Sequence, residues 1–104
     1  MTTQDDTVVK TKTKTRIQIS PPSEYKVIYL NDEVTSMEFV VESLVSVFDY
    51  TDEIAHELTK KIHTDGAATV AILPYEIAEQ KGIEVTVLAR NNQYPLQITL
   101  EPAD

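Results

Sequence analysis

The sequence predicts an α+β domain: a three-stranded antiparallel sheet packed against three helices, in the order β-α-α-β-α-β. Two observations predict it. Runs of strand length, rich in apolar and β-branched residues, lie at residues 25–30, 67–73 and 96–100. The segments between them repeat apolar residues at helical spacing rather than at every second position. Three strands with helices on one side form a two-layer sandwich, and a chain of 104 residues supplies one such domain at most.

Residues 1–22 are rich in Thr and Lys, show no apolar periodicity and close with Pro21-Pro22, so they are expected to form a flexible extension. The core domain is expected over residues 23–104. Tyr25 to Leu30 reads as the first strand, ended by Asn31-Asp32. Thr35-Ser36-Met37-Glu38 has the spacing of a capping box, with Thr35 as the cap. Beyond it, Met37, Val40, Val41, Leu44, Val45 and Phe48 predict a helix over residues 36–48. Thr51 caps a second helix, with Ile54, Ala55, Leu58 and Ile62 on its inner face; Asp65-Gly66 supplies its left-handed stop. Ala67 to Leu73 forms the second strand. Pro74 starts a third helix running to Arg90, with Ile77, Ala78, Val85, Leu88 and Ala89 inward, and Leu96 to Leu100 alternates as the last strand.

Composition narrows the function. The chain contains no cysteine, which excludes disulfides and thiolate metal sites and fits a reducing compartment. It shows no signal-like start and no apolar run near the ~20 residues that span a bilayer, so a cytoplasmic protein without membrane contact is expected. Residues 1–22 hold two carboxylates against four cations, +2, leaving −10 of the total −8 to the remainder. A domain that acidic repels phosphate backbones and excludes nucleic acid; it suits a protonated amine or a basic protein surface.

Catalysis is poorly served. There is no cysteine nucleophile, only two glycines, and His56 and His63 stand seven residues apart rather than at the spacing of a helical metal pair. Neither an enzyme nor a cofactor or metal is expected. Taken singly, Asn31-Asp32 is a turn, His63 compensates a helix dipole, and Glu33, Glu38 and Glu42 form a solvated face.

Taken together, the residues carry a resemblance. YKVIYLNDEVTSMEFV (residues 25–40), Ile62-His63 with the turn at Gly66, Tyr75-Glu76-Ile77-Ala78-Glu79, and Tyr94-Pro95-Leu96-Gln97-Ile98-Thr99-Leu100-Glu101 resemble the ClpS adaptor family over residues 21–101. The resemblance implies an adaptor that binds a bulky apolar N-terminal residue and hands its bearer to a ClpA- or ClpC-type AAA+ unfoldase. It implies an amine-binding mouth at Asn31, Asp32, Glu33 and His63. Below that mouth it implies a hydrophobic pocket lined by Leu30, Thr35, Met37, Val40, Thr59, Ile62 and Leu96, and an unfoldase contact at Glu76, Glu79 and Lys81. The protein would act as a monomer. The chemistry agrees: an α-ammonium group needs acceptors gathered at one point, and an amide carbonyl, a carboxylate and a neutral imidazole nitrogen supply them.

Two positions depart from the family pattern. Glu33 stands where a second Asp is usual, reaching one methylene further, and Thr59 stands where a bulky Met commonly gates the pocket. Thr59 predicts a wider entrance that tolerates Ile or Val. These departures motivate an alternative, a ClpS-like regulator of the unfoldase that does not read N-termini. The element order is also that of the ribosomal stalk protein's C-terminal domain, an analogy of fold alone.

Overall fold

The computed structural model describes residues 21–104. The elements are β1 (Glu24–Leu30), α1 (Met37–Phe48), α2 (Asp52–Asp65), β2 (Ala67–Pro74), α3 (Tyr75–Asn91) and β3 (Gln97–Pro102). The predicted order is therefore present, and the expected extension over residues 1–22 lies almost wholly outside the described residues. β1 is the central strand of a three-stranded sheet in the order β2-β1-β3, and both pairings are antiparallel. In β2 the register shifts between the partners of Val27 and Ile28, which places Val70 and Ala71 consecutively on the core side.

α3 packs across all three strands, α2 packs on β2, and α1 packs on α2 and α3. The core they enclose includes Val27, Tyr29, Leu44, Ile62, Val85 and Leu96. Each such side chain contributes about 1.5–3 kcal/mol by leaving water. One polar pair lies inside it: the Tyr29 hydroxyl meets Ser43 Oγ at 2.8 Å, and Ser43 donates to the Val40 carbonyl at 2.8 Å. Burial pushes the Tyr29 phenol well above its ordinary range, with the Ser43 bond acting the other way.

The helix ends follow the sequence, with one correction. Thr51 caps α2 by accepting from the Ile54 N–H at 3.2 Å, and Gly66 ends it at φ +87°. α1, however, is capped by Ser36, whose hydroxyl accepts from the Phe39 N–H at 3.1 Å. Thr35 lies one residue before the cap and donates both its hydroxyl and its N–H to Asp32.

The inner faces need correction too. Met37, Ile54 and Ile77 are 44–47% exposed. Ala55, Ala78 and Ala89 are fully buried as expected, and Ser43 and Thr59 are buried with them, small residues that let the helices approach closely.

Candidate functional site

β1 ends at Leu30, paired with Ala67 on one side and Gln97 on the other. The Asn31 N–H then donates to the Gly66 carbonyl at 2.9 Å. This bond fastens the loop after β1 to the turn after α2, one helical turn beyond His63. Asn31 and His63, 32 residues apart in sequence, are thereby carried to one end of the molecule, and both are exposed.

The loop between them and α1 is held by Asp32. Its Oδ1 accepts from the Val34 N–H at 2.8 Å and the Thr35 N–H at 2.6 Å, and its Oδ2 accepts from the Thr35 hydroxyl at 2.8 Å. Burial alone would raise this carboxyl's pKa; the Thr35 and Val34 bonds, with the nearby Arg90 charge, outweigh it and hold the group below its ordinary value. Glu33 is exposed and takes no part in these bonds.

Arg90 and Tyr94 support the loop from the other side. One guanidinium nitrogen of Arg90 donates to the carbonyls of Tyr94 and Leu96, both at 2.9 Å. Tyr94 packs its ring on Phe39 at 5.0 Å and donates to Ser36 Oγ at 3.2 Å. The segment before β3 is thus pinned to the start of α1, with Leu96 buried beneath it.

The seven expected lining residues do not fall in one cavity. Val40, Ile62 and Leu96 are core residues, at most 6% exposed. Met37 and Thr59 line a cavity of about 280 Å³ between α1 and α2, with Glu38, Val41, His56 and Lys60. Leu30 lines a second cavity of about 260 Å³ with Asn31, Asp32, Pro95 and Gln97. It sits there because alternation along β1 sends Val27 and Tyr29 to the core and Leu30 to the opposite face. Thr35 is half-buried, tied to Asp32 as described.

Pro95 and Gln97, which line the mouth-side cavity, were not read from the sequence as site residues, nor were Val41, His56 and Lys60 on the other. The break in pattern at Tyr94-Pro95, next to a strand that pairs with the loop-bearing β1, is the signal that marks the first pair. His56 Nδ1 donates to its own helix at the Asp52 carbonyl, 2.7 Å away.

The expected unfoldase contact lies on α3. Glu76 and Glu79 are exposed, with Glu79 accepting from the Tyr75 hydroxyl at 3.3 Å. Lys81 is half-buried and donates to the Val47 carbonyl at 2.9 Å, supplying the cation that α1 lacks in its own last turn. No described helix is long and apolar enough to cross a membrane.

Residues 20–99 match the family described as ATP-dependent Clp protease adaptor protein ClpS. The ATP-dependent Clp protease adapter protein ClpS of Sodalis glossinidius is 45% identical over 85 residues, covering 82% of this chain and 80% of that one. The ClpS of Shewanella denitrificans is 42% identical over 96 residues, covering 92% and 94%. Among solved structures, Agrobacterium tumefaciens ClpS2 bound to L-phenylalaninamide superposes with a TM-score of 0.76 at 36% identity, over 79% of this chain and 99% of that one. With residues 20–99 matched, which take in β1, β2, all three helices and the start of β3, the chain belongs to the ClpS family of Clp protease adaptors.

Proposed function

We propose that this protein binds substrates through a bulky hydrophobic N-terminal residue and delivers them to a ClpA- or ClpC-type unfoldase, acting as a cytoplasmic monomer without catalysis of its own. The observation that supports the reading is the 2.9 Å bond from Asn31 N–H to the Gly66 carbonyl, which ties the loop that carries Asn31 to the turn that follows His63. Asn31 offers a side-chain carbonyl, His63 a ring nitrogen, and the Asp32-Glu33 pair a negative field. An α-ammonium group meets acceptors there; an acetylated or internal amide brings no charge and fewer donors, leaving them unmatched. Burial of one Leu or Phe side chain adds about 1.5–3 kcal/mol, and low-micromolar affinity, about −8 kcal/mol, is expected after the costs of association. Glu76, Glu79 and Lys81 are the proposed contacts with the unfoldase.

Fluorescence anisotropy with a Phe-initiated peptide, its N-acetylated form and a His63→Ala variant tests this. Binding is expected for the free amine alone and is expected to weaken in the variant. Equal binding of both peptides contradicts the reading. No binding by either one favours the regulator that does not read N-termini. In the same assay the short Thr59 side chain should admit Ile- and Val-initiated peptides; hundredfold weaker binding than Leu would dismiss the wider entrance.

A further inference from the structure

α3 and β3 enclose a furrow that the site described above does not use. Gly82, Ile83, Val87, Ile98 and Leu100 line it, with Glu79 at its rim, around a cavity of about 260 Å³. That volume falls below the range of small-molecule sites, about 300–1,000 Å³, and suits a few side chains. Ile83 and Val87 are 58% and 53% exposed. A Cβ at Gly82 would meet Ile98 at 3.6 Å, so the glycine keeps the floor open. β3 is also an edge strand in the order β2-β1-β3, and native sheets cover or blunt such edges. Where the chain enters the described residues, the Ser23 carbonyl accepts from the Tyr75 N–H at 3.3 Å, and the Ala103 N–H donates to the Glu24 carbonyl at 2.9 Å. The chain preceding Ser23 therefore emerges at the corner where α3 starts and β3 ends. Ile19 stands four residues before Ser23, a reach of about 13–14 Å when extended, and Leu100, paired with Val27, lies about as far up the sheet. Ile17 and Ile19 share the two-residue spacing of Ile98 and Leu100, which puts both on one face of an extended segment. Charge agrees: Lys10, Lys12, Lys14 and Arg16 precede them, while Glu79 and Glu101, next to Leu100, are exposed.

We propose that this furrow is the docking site of the chain's own segment Ile17–Ile19, which lies outside the described residues. Its two isoleucines seat against Ile83, Val87, Ile98 and Leu100, and its backbone runs alongside the open edge of β3. A tether of a few residues holds the segment at an effective concentration on the order of millimolar, so a weak contact suffices. The inference stands apart from the N-terminal-residue reading. Glu79 is also one of the proposed unfoldase contacts, which sets the docked segment beside that surface.

The absence of cysteine makes the test direct. Ile19→Cys is combined with Ile83→Cys in one full-length protein and with Ile72→Cys in another, and intramolecular disulfide formation is timed under mild oxidation at micromolar protein. Ile72 is 50% exposed and pairs with Lys26, three residues from Ser23, so the tether alone brings Ile19 to it as readily. The Ile83 protein is expected to close about tenfold faster or more, the gain that docking adds to a tether. In a second measurement, Ile17→Ser with Ile19→Ser should shift the methyl NMR signals of Ile83, Val87, Ile98 and Leu100 and leave that of Ile72 in place. Both substitutions lie outside the described domain, which should fold unchanged. Equal closure rates in the two cysteine proteins, or furrow methyl signals that do not respond, overturn the proposal. Disulfides formed between molecules in preference to within them would give the furrow to a second copy, and overturn it as well.

Discussion

Asp32 is where the structure makes its sharpest demand. Replacing it with Ala removes three bonds at once: two backbone donors, at 2.8 and 2.6 Å, and the Thr35 hydroxyl at 2.8 Å. A net hydrogen bond contributes about 0.5–1.5 kcal/mol, and Val34 is exposed, so water replaces part of what is lost there. The expected cost is therefore about 2 kcal/mol, on the order of 10 °C in melting temperature for a domain of this size. Asp32→Asn keeps one oxygen for the two N–H groups but cannot accept from the Thr35 hydroxyl through its amide nitrogen, and should cost about half as much. The carboxyl's lowered pKa fixes the pH dependence. Because the folded state holds the ionised form, its contribution is complete above the unfolded Asp value of about 3.9 and is lost as pH falls through the lower folded value. Urea titrations of the natural protein and Asp32→Asn should thus show a stability gap that is constant at neutral pH and closes in acid. Binding of a Phe-initiated peptide should weaken about tenfold in Asp32→Ala, because Asn31 loses its support. If the Ala variant is as stable as the natural protein within 0.5 kcal/mol, the loop is not held as described. If Asp32→Asn keeps stability but loses binding altogether, the carboxylate touches the amine directly.

Two further outcomes follow from the interior and the turn. Ser43→Ala strands the Tyr29 hydroxyl in the core and should cost about 1–3 kcal/mol, whereas the double variant with Tyr29→Phe, which removes both ends of the bond, should recover most of it in denaturant titration; strict additivity would contradict the pairing. Gly66→Ala meets no atom within 4 Å, so its cost is that of a φ of +87°, about 1 kcal/mol, and a neutral result would show that the turn relaxes freely.

Local signals carried most of the fold. Thr51 and Gly66 could be assigned from sequence because each acts on its own backbone neighbours. The cap of α1 could not: Thr35 and Ser36 are both competent, and in the structure Thr35 donates to Asp32 in the loop while Ser36 accepts from the Phe39 N–H. Periodicity found the apolar stripes but misplaced their edges. It put Ala55, Ala78 and Ala89 inside, where they are fully buried, but it also took in the neighbouring Ile54 and Ile77, which stand 45% and 44% exposed at the edge of the stripe. Phe39 was missed because what covers it, the Tyr94 ring, is 55 residues away in sequence. Leu30 is different, since strict alternation from Val27 and Tyr29 already places it on the other face. In the site, Asn31 and His63 were named from the resemblance, and the bond that brings their segments together joins two turns that no local pattern connects.

The mouth holds two adjacent carboxylates, and the structure gives them different work. Asp32 is committed to the loop through both oxygens, so neutralising it should be read first in stability. Glu33 is exposed and outside that network, which leaves its charge available to an incoming amine. Glu33→Gln should therefore leave unfolding within about 0.5 kcal/mol of the natural protein, as surface substitutions do. Its effect should fall on affinity for free-amine peptides, about two- to fivefold at low ionic strength, the range of an exposed charge pair. That loss should shrink as salt is added, because a Debye length of about 3 Å at 1 M screens the contact. A loss that persists undiminished at 1 M salt would mean that Glu33 bonds the amine in a site shielded from solvent. No loss at low salt would leave Asn31 and His63 to hold the amine without a carboxylate of their own, and the acidic character of the mouth would then serve the architecture of the loop alone.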